Sequence, residues 1–441
     1  MDPSLDGAFR AAAERLRGQE VCRLVSHFDA DGIAASAILA TALERAGIAT
    51  TSTFLPQLDE IALGTLPTKG FLVFLDMGSA YAPAIEQAFG DRVLVLDHRK
   101  LEGEPGGHEL NPWSFGLDGG RDACSATLAF FVARALEERN ENLAPLALVG
   151  VIADAQEKRG LQGLNEEAVM IGERAGLIAL EERLKLFGYE RKDLVRLLAA
   201  SHDLRIPGVT GSTGGARRFL EGIGIPTEKD GRAVRYGDLN AEQRAALLEA
   251  GKKAATRKPT TALHFTLLKE EGMFRDARQY ATLLNAFGRL ERPEQGVAVC
   301  RGNASARAAA EKVLAEYRQT LHDAYAWQQR SPDVIRKDGY VLIDAGPKIL
   351  ASVMGTVCSM ITRGGDVPPD TAVVGLADQG DAIKVSVRVA GYNKDAHELV
   401  TQMMDGIAGT SGGHAQAAGA VIRAADKGRF VENAQRILGN L

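Results

Sequence analysis

The chain is predicted to be an α/β protein whose first part is a parallel sheet wrapped by helices, and three observations predict it. Residues 20 to 100 repeat one unit: a short β-rich run, a turn carrying an acidic residue, then an amphipathic helix. Alternation of this kind builds parallel strands joined by helices. The apolar runs also end in polar groups, at Ser26-His27-Phe28-Asp29-Ala30-Asp31-Gly32, Leu75-Asp76-Met77-Gly78, Leu96-Asp97-His98-Arg99 and Ala153-Asp154. Finally, 441 residues are too many for one compact core, so two or three domains are expected at about 100 to 200 residues each.

Val21 to Ser26 reads as the first strand, Ile33 to Ala46 as a helix, Phe71 to Leu75 as a strand, Tyr81 to Phe89 as a helix and Arg92 to Leu96 as a strand. Leu143 to Ala155 is apolar enough for either a buried helix or a strand, and either form ends by presenting Asp154. The stretch to about residue 205 carries Leu, Glu, Arg and Lys at helical spacing and reads as helices closing a first domain over 1–205. Residues 206–258 shift to Gly, Arg, Lys and Glu with Pro207, Pro226 and Pro259 as punctuation, and read as an inserted module or partner-binding surface. Thr260 to Asn285 and the helical run Ala304 to Gln329 read as a connector over 259–335, leading to a last domain over 336–441.

In that last domain Ile383, Val385, Val387 and Val389 alternate with Lys384, Ser386 and Arg388, so a strand there has one apolar face. Its polar face reads as a solvated sheet edge or as a grip for a phosphate backbone. Ser411 to Gly419 reads as a Gly-Gly turn before an Ala-rich helix. Such a helix start either caps a packed helix or places Gly412, Gly413 and His414 beside an anion.

Composition excludes several classes. Hydrophobic residues at 45% and charged residues at 25% describe a folded protein and not a disordered one. The N-terminus has no basic start followed by an apolar run, and no stretch approaches the ~18 apolar residues of a membrane helix, so a cytoplasmic protein without membrane contact is expected. Cys22, Cys124, Cys300 and Cys358 lie far apart with no C-x-x-C pair, the pattern of buried free thiols. A net charge of -5 argues against a positive coat for non-specific DNA binding but leaves room for a local basic groove.

The acidic residues point to chemistry. Parallel sheets bind ligands beyond the carboxyl ends of their strands, and Asp29, Asp76 and Asp97 all lie there. Clustered carboxylates repel unless cations sit between them, and Asp29, Asp31, Asp76 and Asp154 with His98 suffice to hold two divalent metals. A two-metal hydrolase follows. An EF-hand reading of Asp29-Ala30-Asp31-Gly32 fails, because the loop lacks the required glutamate and runs straight into Ile33.

In the order of these segments the chain resembles the DHH phosphoesterase superfamily, and within it the RecJ-like single-strand exonucleases of the archaeal branch. The resemblance rests on S-H-F-D-A-D-G-I at 26–33, the acidic strand ends, Asn111-Pro112 with Gly116-Leu117-Asp118-Gly119, Arg275-Asp276-Ala277-Arg278 through Asn285, and Gly412-Gly413-His414. It covers nearly the whole chain. It implies a DHH catalytic domain and a smaller α/β DHH-associated domain facing each other across a groove that holds nucleic acid. It also places residues 206–258 where archaeal members carry a domain for a replication or fork-repair partner.

By matching position, the resemblance makes Asp29, Asp31, Asp76, His98 and Asp154 metal ligands, with Asp97 ligating or orienting His98. His27 would either approach a metal or pack beside the strand end. Asp76 would bridge two cations, Mn2+ preferred and Mg2+ tolerated. The chain departs from the family at Arg99, which stands where a second histidine is expected. An arginine stabilises phosphoryl charge but cannot act as a general acid, because its pKa is above ~12.

Ser386, Arg388, Gly412, Gly413 and His414 would grip the nucleic acid, while Trp113 and Phe115 would stack bases or pack in the core. The implied activity is exonucleolytic release of mononucleotides from single-stranded DNA or RNA. A small-molecule phosphoesterase and a noncatalytic replication scaffold are the alternatives.

Overall fold

Phe71–Leu75 is buried at every position, which places this short apolar run inside a sheet covered on both faces. The computed structural model describes residues 2–67, 69–101, 106–189, 192–201, 204–256, 259–391 and 393–439. They fall into two compact units, Met1–Asn285 with Pro293–Arg307, and Ala286–Arg292 with Ala308–Leu441.

The first unit opens with α1 (Pro3–Arg17), β1 (Val21–His27), α2 (Ala30–Arg45), β2 (Ala49–Leu55), α3 (Glu60–Thr65), β3 (Phe71–Leu75), α4 (Ala82–Phe89), β4 (Val93–Leu96) and β5 (Glu109–Leu110). The five strands pair in the order β2-β1-β3-β4-β5, every pair parallel. The order reverses between β1 and β3, and at such a switch point the loops part and leave a crevice for a ligand. β2 was not anticipated. It is an edge strand of partly exposed residues, Thr-rich and without the apolar run that marks a buried strand.

Next come α5 (Ser125–Leu136), α6 (Ala144–Ala153), α7 (Gly163–Arg174), β6 (Ile178–Leu184), α8 (Leu194–Ala199), α9 (Thr213–Gly222), β7 (Glu228–Lys229), β8 (Arg232–Ala233), α10 (Ala241–Ala254) and β9 (Thr261–Leu267). The ambiguous run at 143–155 is a helix, with Pro145 in its first turn. The all-helical reading of the stretch up to 205 is corrected by β6, which pairs antiparallel with β9 from Ile178↔Leu267 to Leu184↔Thr261. A partner so distant in sequence overrides local helical spacing. Between those strands Tyr189, Leu194, Leu197, Leu220 and Leu247 form a core of their own with Leu184. The expected boundary at residue 258 lies outside the described residues. Helices α11 (Ala277–Arg289), α12 (Pro293–Cys300) and α13 (Ala304–Arg330) follow.

The second unit holds β10 (Val334–Lys337), β11 (Tyr340–Asp344), α14 (Ala351–Gly364), β12 (Ala372–Gln379), β13 (Ala382–Val389), α15 (Ala396–Met403), β14 (Gly409–His414), β15 (Ala417–Arg423) and α16 (Lys427–Leu438). Its sheet runs β10-β11-β12-β13-β15-β14, with β11 and β12 parallel and the other pairs antiparallel. The alternation on β13 is as expected: Ile383, Val385, Val387 and Val389 join Leu399, Val400 and Phe430 in the core. Its polar face is not a solvated edge. β13 lies between β12 and β15, and α14 crosses the polar face so closely that a Cβ on Gly355 would meet Arg388 Nη2 at 2.9 Å.

The expected Ala-rich helix after Gly413 is absent, and β14 and β15 form a hairpin in its place, with Gly412 opposite Gly419 and His414 opposite Ala417. Ala418, Ala420 and Ile422 are buried at a period of two, the spacing of a strand. Pairing with β13 outweighs the helix preference of alanine. All four cysteines are free, Cys22, Cys124 and Cys358 being buried. Among the described residues, no helix is long and apolar enough to cross a membrane.

Candidate metal centre

β1 ends at His27, and Asp29 caps α2 by accepting a hydrogen bond from Gly32 N at 3.1 Å. The helix starts so close to the strand that a Cβ on Gly32 would lie 2.2 Å from the His27 carbonyl oxygen, so only glycine fits. Asp31, in the first turn of α2, is fully buried. Its carboxylate meets the start of α5, where Oδ2 accepts from Ser125 N at 2.8 Å and Oδ1 from Ala126 N at 3.0 Å. The unpaired amides and positive end of a twelve-residue helix favour a carboxylate there.

Asp76 follows β3 with a left-handed φ of 59°, a backbone strain of about 1 kcal/mol for a residue with a Cβ. Its N–H still donates to the Leu96 carbonyl at 3.0 Å, carrying the ladder one residue past the strand. Its carboxylate lies between two imidazoles. His27 Nδ1 is 3.0 Å from Asp76 Oδ2 and 2.9 Å from Asp29 Oδ2. His98 Nε2 is 3.2 Å from Asp76 Oδ1 and 3.2 Å from Asp154 Oδ2.

The other nitrogen of His98 is fixed. Nδ1 lies 2.6 Å from the Gly119 carbonyl, which can only accept, so Nδ1 carries the proton and Nε2 is the nitrogen turned to the carboxylates. A Cβ on Gly119 would sit 1.7 Å from the His98 carbonyl oxygen. The donor atoms form three overlapping groups, each within 4.8 Å: His27, Asp29 and Asp76, then Asp31, His98 and Asp154, then Asp76, Asp97 and His98.

Asp97 holds the loop beneath this cluster. Its Oδ1 accepts from His98 N at 2.8 Å and Arg99 N at 3.2 Å, and its Oδ2 accepts from Ser79 N at 3.0 Å. Asn111 extends the brace, donating to the Arg99 carbonyl at 2.9 Å and to Ser79 Oγ at 2.8 Å. Trp113 donates from Nε1 to the His98 carbonyl at 3.1 Å, which makes its ring part of the loop's support, and Phe115 is half-buried beside it in sequence. Arg99 itself leaves its side chain 51% exposed, with Nη2 3.7 Å from Asp76 Oδ2.

Burial and charge oppose each other throughout the cluster. Burial, with Asp76 and Asp29 nearby, pushes Asp31 up to about 7, and burial beside Asp31 raises Asp154 well above the usual carboxylate range. Burial would raise Asp76 too, but Arg99, His27 and His98 hold it low. Burial disfavours charge on His27, yet Asp29 and Asp76 carry it up to about 9, and His98 is raised in the same way by Asp76 and Asp154. The protein's own cations thus offset only part of the carboxylate charge. A mixed oxygen and imidazole donor set, with the tautomer of His98 already selected, fits divalent cations such as Mn2+ or Mg2+.

Several contributors escaped the sequence reading. Ser125 and Ala126 supply the amides to Asp31, and Cys124 places its thiol beside the same carboxylate. Gly150 gives Asp31 room, since a Cβ there would lie 2.4 Å from Asp31 Oδ1. Ser125 begins α5, and nothing local connects it to a residue 94 positions away.

The expected nucleic-acid contacts belong to the second unit. Arg388 donates from Nε to Ser359 Oγ at 3.0 Å and from Nη1 to the Ala418 carbonyl at 3.2 Å, and Ser386 is buried. Burial and the nearby Arg289 and Arg388 lower the Lys384 ammonium on the same face. Gly412, Gly413 and His414 are exposed on the edge strand β14, so the chain that follows them does not supply the helix N-terminus expected beside His414. Its Nδ1 accepts from Gln416 N at 3.3 Å.

The sequence pattern of the DHH family, N-terminal domain, matches residues 22–151, which hold every residue of the centre except Asp154. The DHH-CID domain pattern matches residues 186–262 and the DHHA1 domain pattern residues 338–440. The chain belongs to the DHH superfamily. An uncharacterized protein of Methanocaldococcus jannaschii is 24% identical to this DHH protein over 432 residues, covering 95% of this chain and 93% of that one. In fold, the DHH protein is similar to exonuclease RecJ bound to manganese, with a TM-score of 0.59 at 20% identity over 99% of this chain and 94% of that one. It is also similar in fold to CDC45 from Entamoeba histolytica, with a TM-score of 0.60 at 12% identity over 99% of each chain. DHH membership together with the donor cluster supports a metal-dependent phosphoesterase.

Proposed function

We propose that this DHH protein is a two-metal phosphodiesterase that releases mononucleotides from an end of single-stranded DNA or RNA, with Mn2+ preferred and Mg2+ accepted. The observation that carries the reading is the position of Asp76, a strained, buried carboxylate shared between the donor group of His27 and Asp29 and the donor group of His98. Divalent cations bound there supply Lewis acidity toward a phosphodiester.

The chain's own residues prepare that chemistry. Asp29, Asp31, Asp76, His98 and Asp154 are the proposed ligands, with His27 close enough to join them, while Asp97 orients His98. The Asp31 carboxylate is held in place by two amides, and the backbone of Asp76 by the sheet ladder. Arg99 offers guanidinium donors to the phosphoryl oxygens from a half-exposed position.

In the second unit, Arg388 is the proposed phosphate contact, and Ser386, buried beneath α14, would support it from the same face. The mutual repulsion among Lys384, Arg388 and Arg289 supports that role, since an anion would relieve it. Gly412, Gly413 and His414 would present an exposed strand edge to the same nucleic acid. Residues 206–258 are proposed to dock a replication or fork-repair protein.

The test is mononucleotide release from long single-stranded DNA and RNA, labelled separately at each end, with Mn2+, Mg2+ or EDTA. The native chain should give metal-dependent product that Asp29→Ala/Asp31→Ala does not. No product above the variant's background, from a folded native chain, would overturn the reading.

A further inference from the structure

Helix α11 carries a polar stripe that reaches the two chain segments holding the proposed metal ligands. Arg278 and Asn285 are seven residues apart and so lie on one helix face, two turns from each other. Asp276 starts this helix by accepting from Arg278 N at 2.8 Å and Gln279 N at 3.3 Å. That capping fixes where the face points.

Arg278 Nη1 donates to Glu157 Oε1 at 2.6 Å, and the Glu157 side chain is only 1% exposed. Among the described residues the other oxygen of Glu157 is buried without a partner, and Arg278 is the counter-charge of this carboxylate removed from water. Glu157 sits three residues after Asp154. Its neighbour Gln156 donates to the Gly119 carbonyl at 3.0 Å, the same oxygen that fixes His98. At the other end of the stripe, Asn285 Oδ1 accepts from Ala30 N at 3.3 Å, the amide between Asp29 and Asp31.

We infer that Arg278 and Asn285 are positioning residues that hold the Asp154 segment and the Asp29–Asp31 segment at the spacing divalent cations require. The inference rests on the metal reading of the centre. Arg278 acts through Glu157, with a second donation from Nη2 to the Leu263 carbonyl at 3.3 Å, and Asn285 acts through the Ala30 amide. An asparagine at 285 accepts the Ala30 amide without adding a further charge to a site already rich in carboxylates.

The experiment is a calorimetric titration of the full chain with Mn2+ alone, without substrate, on native protein, Arg278→Gln, Arg278→Lys and Asn285→Ala, with a thermal melt of each in EDTA. Asn285 is half-buried, so its variant is expected to fold even where Arg278→Gln does not. The expected result is Mn2+ affinity weakened about 10- to 100-fold in Arg278→Gln and Asn285→Ala, partial recovery in Arg278→Lys, and a metal-free melting temperature for Asn285→Ala close to native. Native affinity within twofold in Asn285→Ala overturns the positioning role and leaves the metal reading standing. A native chain that takes up no Mn2+ overturns both.

Discussion

The Gly119 carbonyl fixes the ring of His98: the oxygen lies 2.6 Å from Nδ1 and leaves Nε2 facing Asp76 and Asp154. The same oxygen accepts from Gln156 Nε2 at 3.0 Å. One backbone atom therefore ties the end of β4, the glycine loop and the chain after α6 to a single imidazole.

This contact predicts a graded pair of variants. His98→Ala should abolish metal-dependent hydrolysis. Gly119→Ala, which forces a Cβ against the His98 carbonyl, should keep the ligand but lower Mn2+ affinity about 10- to 100-fold. Calorimetry on both variants checks the order, and native affinity in Gly119→Ala would show that the carbonyl does not orient the ring.

Cations should stabilise the fold, because they bind the native cluster and not the dispersed carboxylates of the unfolded chain. Mn2+ at one hundred times its Kd should add about 2.7 kcal/mol. EDTA should reverse the rise in melting temperature, and Asp76→Asn should lose most of it, since Asp76 is common to two donor groups. An equal Mn2+ shift in that variant would place the binding elsewhere.

Arg99 should act on the phosphate and not on the metal. Arg99→Ala is expected to lower kcat/KM about 10²-fold while leaving Mn2+ affinity near native, because the guanidinium is a donor to developing charge and not a ligand. A guanidinium does not titrate in the working range, so the pH–rate profile should keep its shape in the variant. A lost limb in that profile would contradict the assignment.

His264 makes stability sensitive to acid. Burial, opposed by Asp276 and aided by Arg183 and Arg278, holds its imidazole down to about 4, against an ordinary value of 6.5. Above pH 6.5 the ring is neutral in both the folded and unfolded states and its contribution is complete. As pH falls from 6.5 to about 4 the unfolded chain binds the proton first, and up to about 3 kcal/mol is lost. Urea unfolding of His264→Gln across that window should show a shallower slope than the native protein.

Gly150→Ala tests the room left for Asp31. The new methyl group would collide with Asp31 Oδ1 and with Ala126 Cβ, each 2.4 Å away. Overpacking of this kind costs typically about 1–3 kcal/mol, and the displaced carboxylate should also weaken Mn2+ binding. Denaturant midpoints and calorimetry measure the two effects separately.

The strands that carry the centre were legible because each holds a short, largely apolar run closed by a polar turn, as Phe71–Leu75 is closed by Asp76. β2 and β6 were not, because an edge strand and a strand with a distant partner have no such local mark. The hairpin at Gly409–Arg423 defeated the reading for a related reason: glycine and alanine have small side chains, and their conformation follows whichever neighbour they pair with.

The sequence by itself determined which residue types stand at the strand ends, and so the donor inventory of Asp29, Asp31, Asp76, His98 and Asp154 and the α/β class around it. Periodicity and carboxylate repulsion are local properties that a chain carries before it folds. Only the tertiary structure decided that Asp31 rests on the start of α5, that Asp97 braces a loop, that Gly119 selects the tautomer of His98 and that α11 reaches both segments that carry the proposed ligands. Each of those is a contact between residues far apart in the chain, where geometry, and no spacing rule, sets the partner.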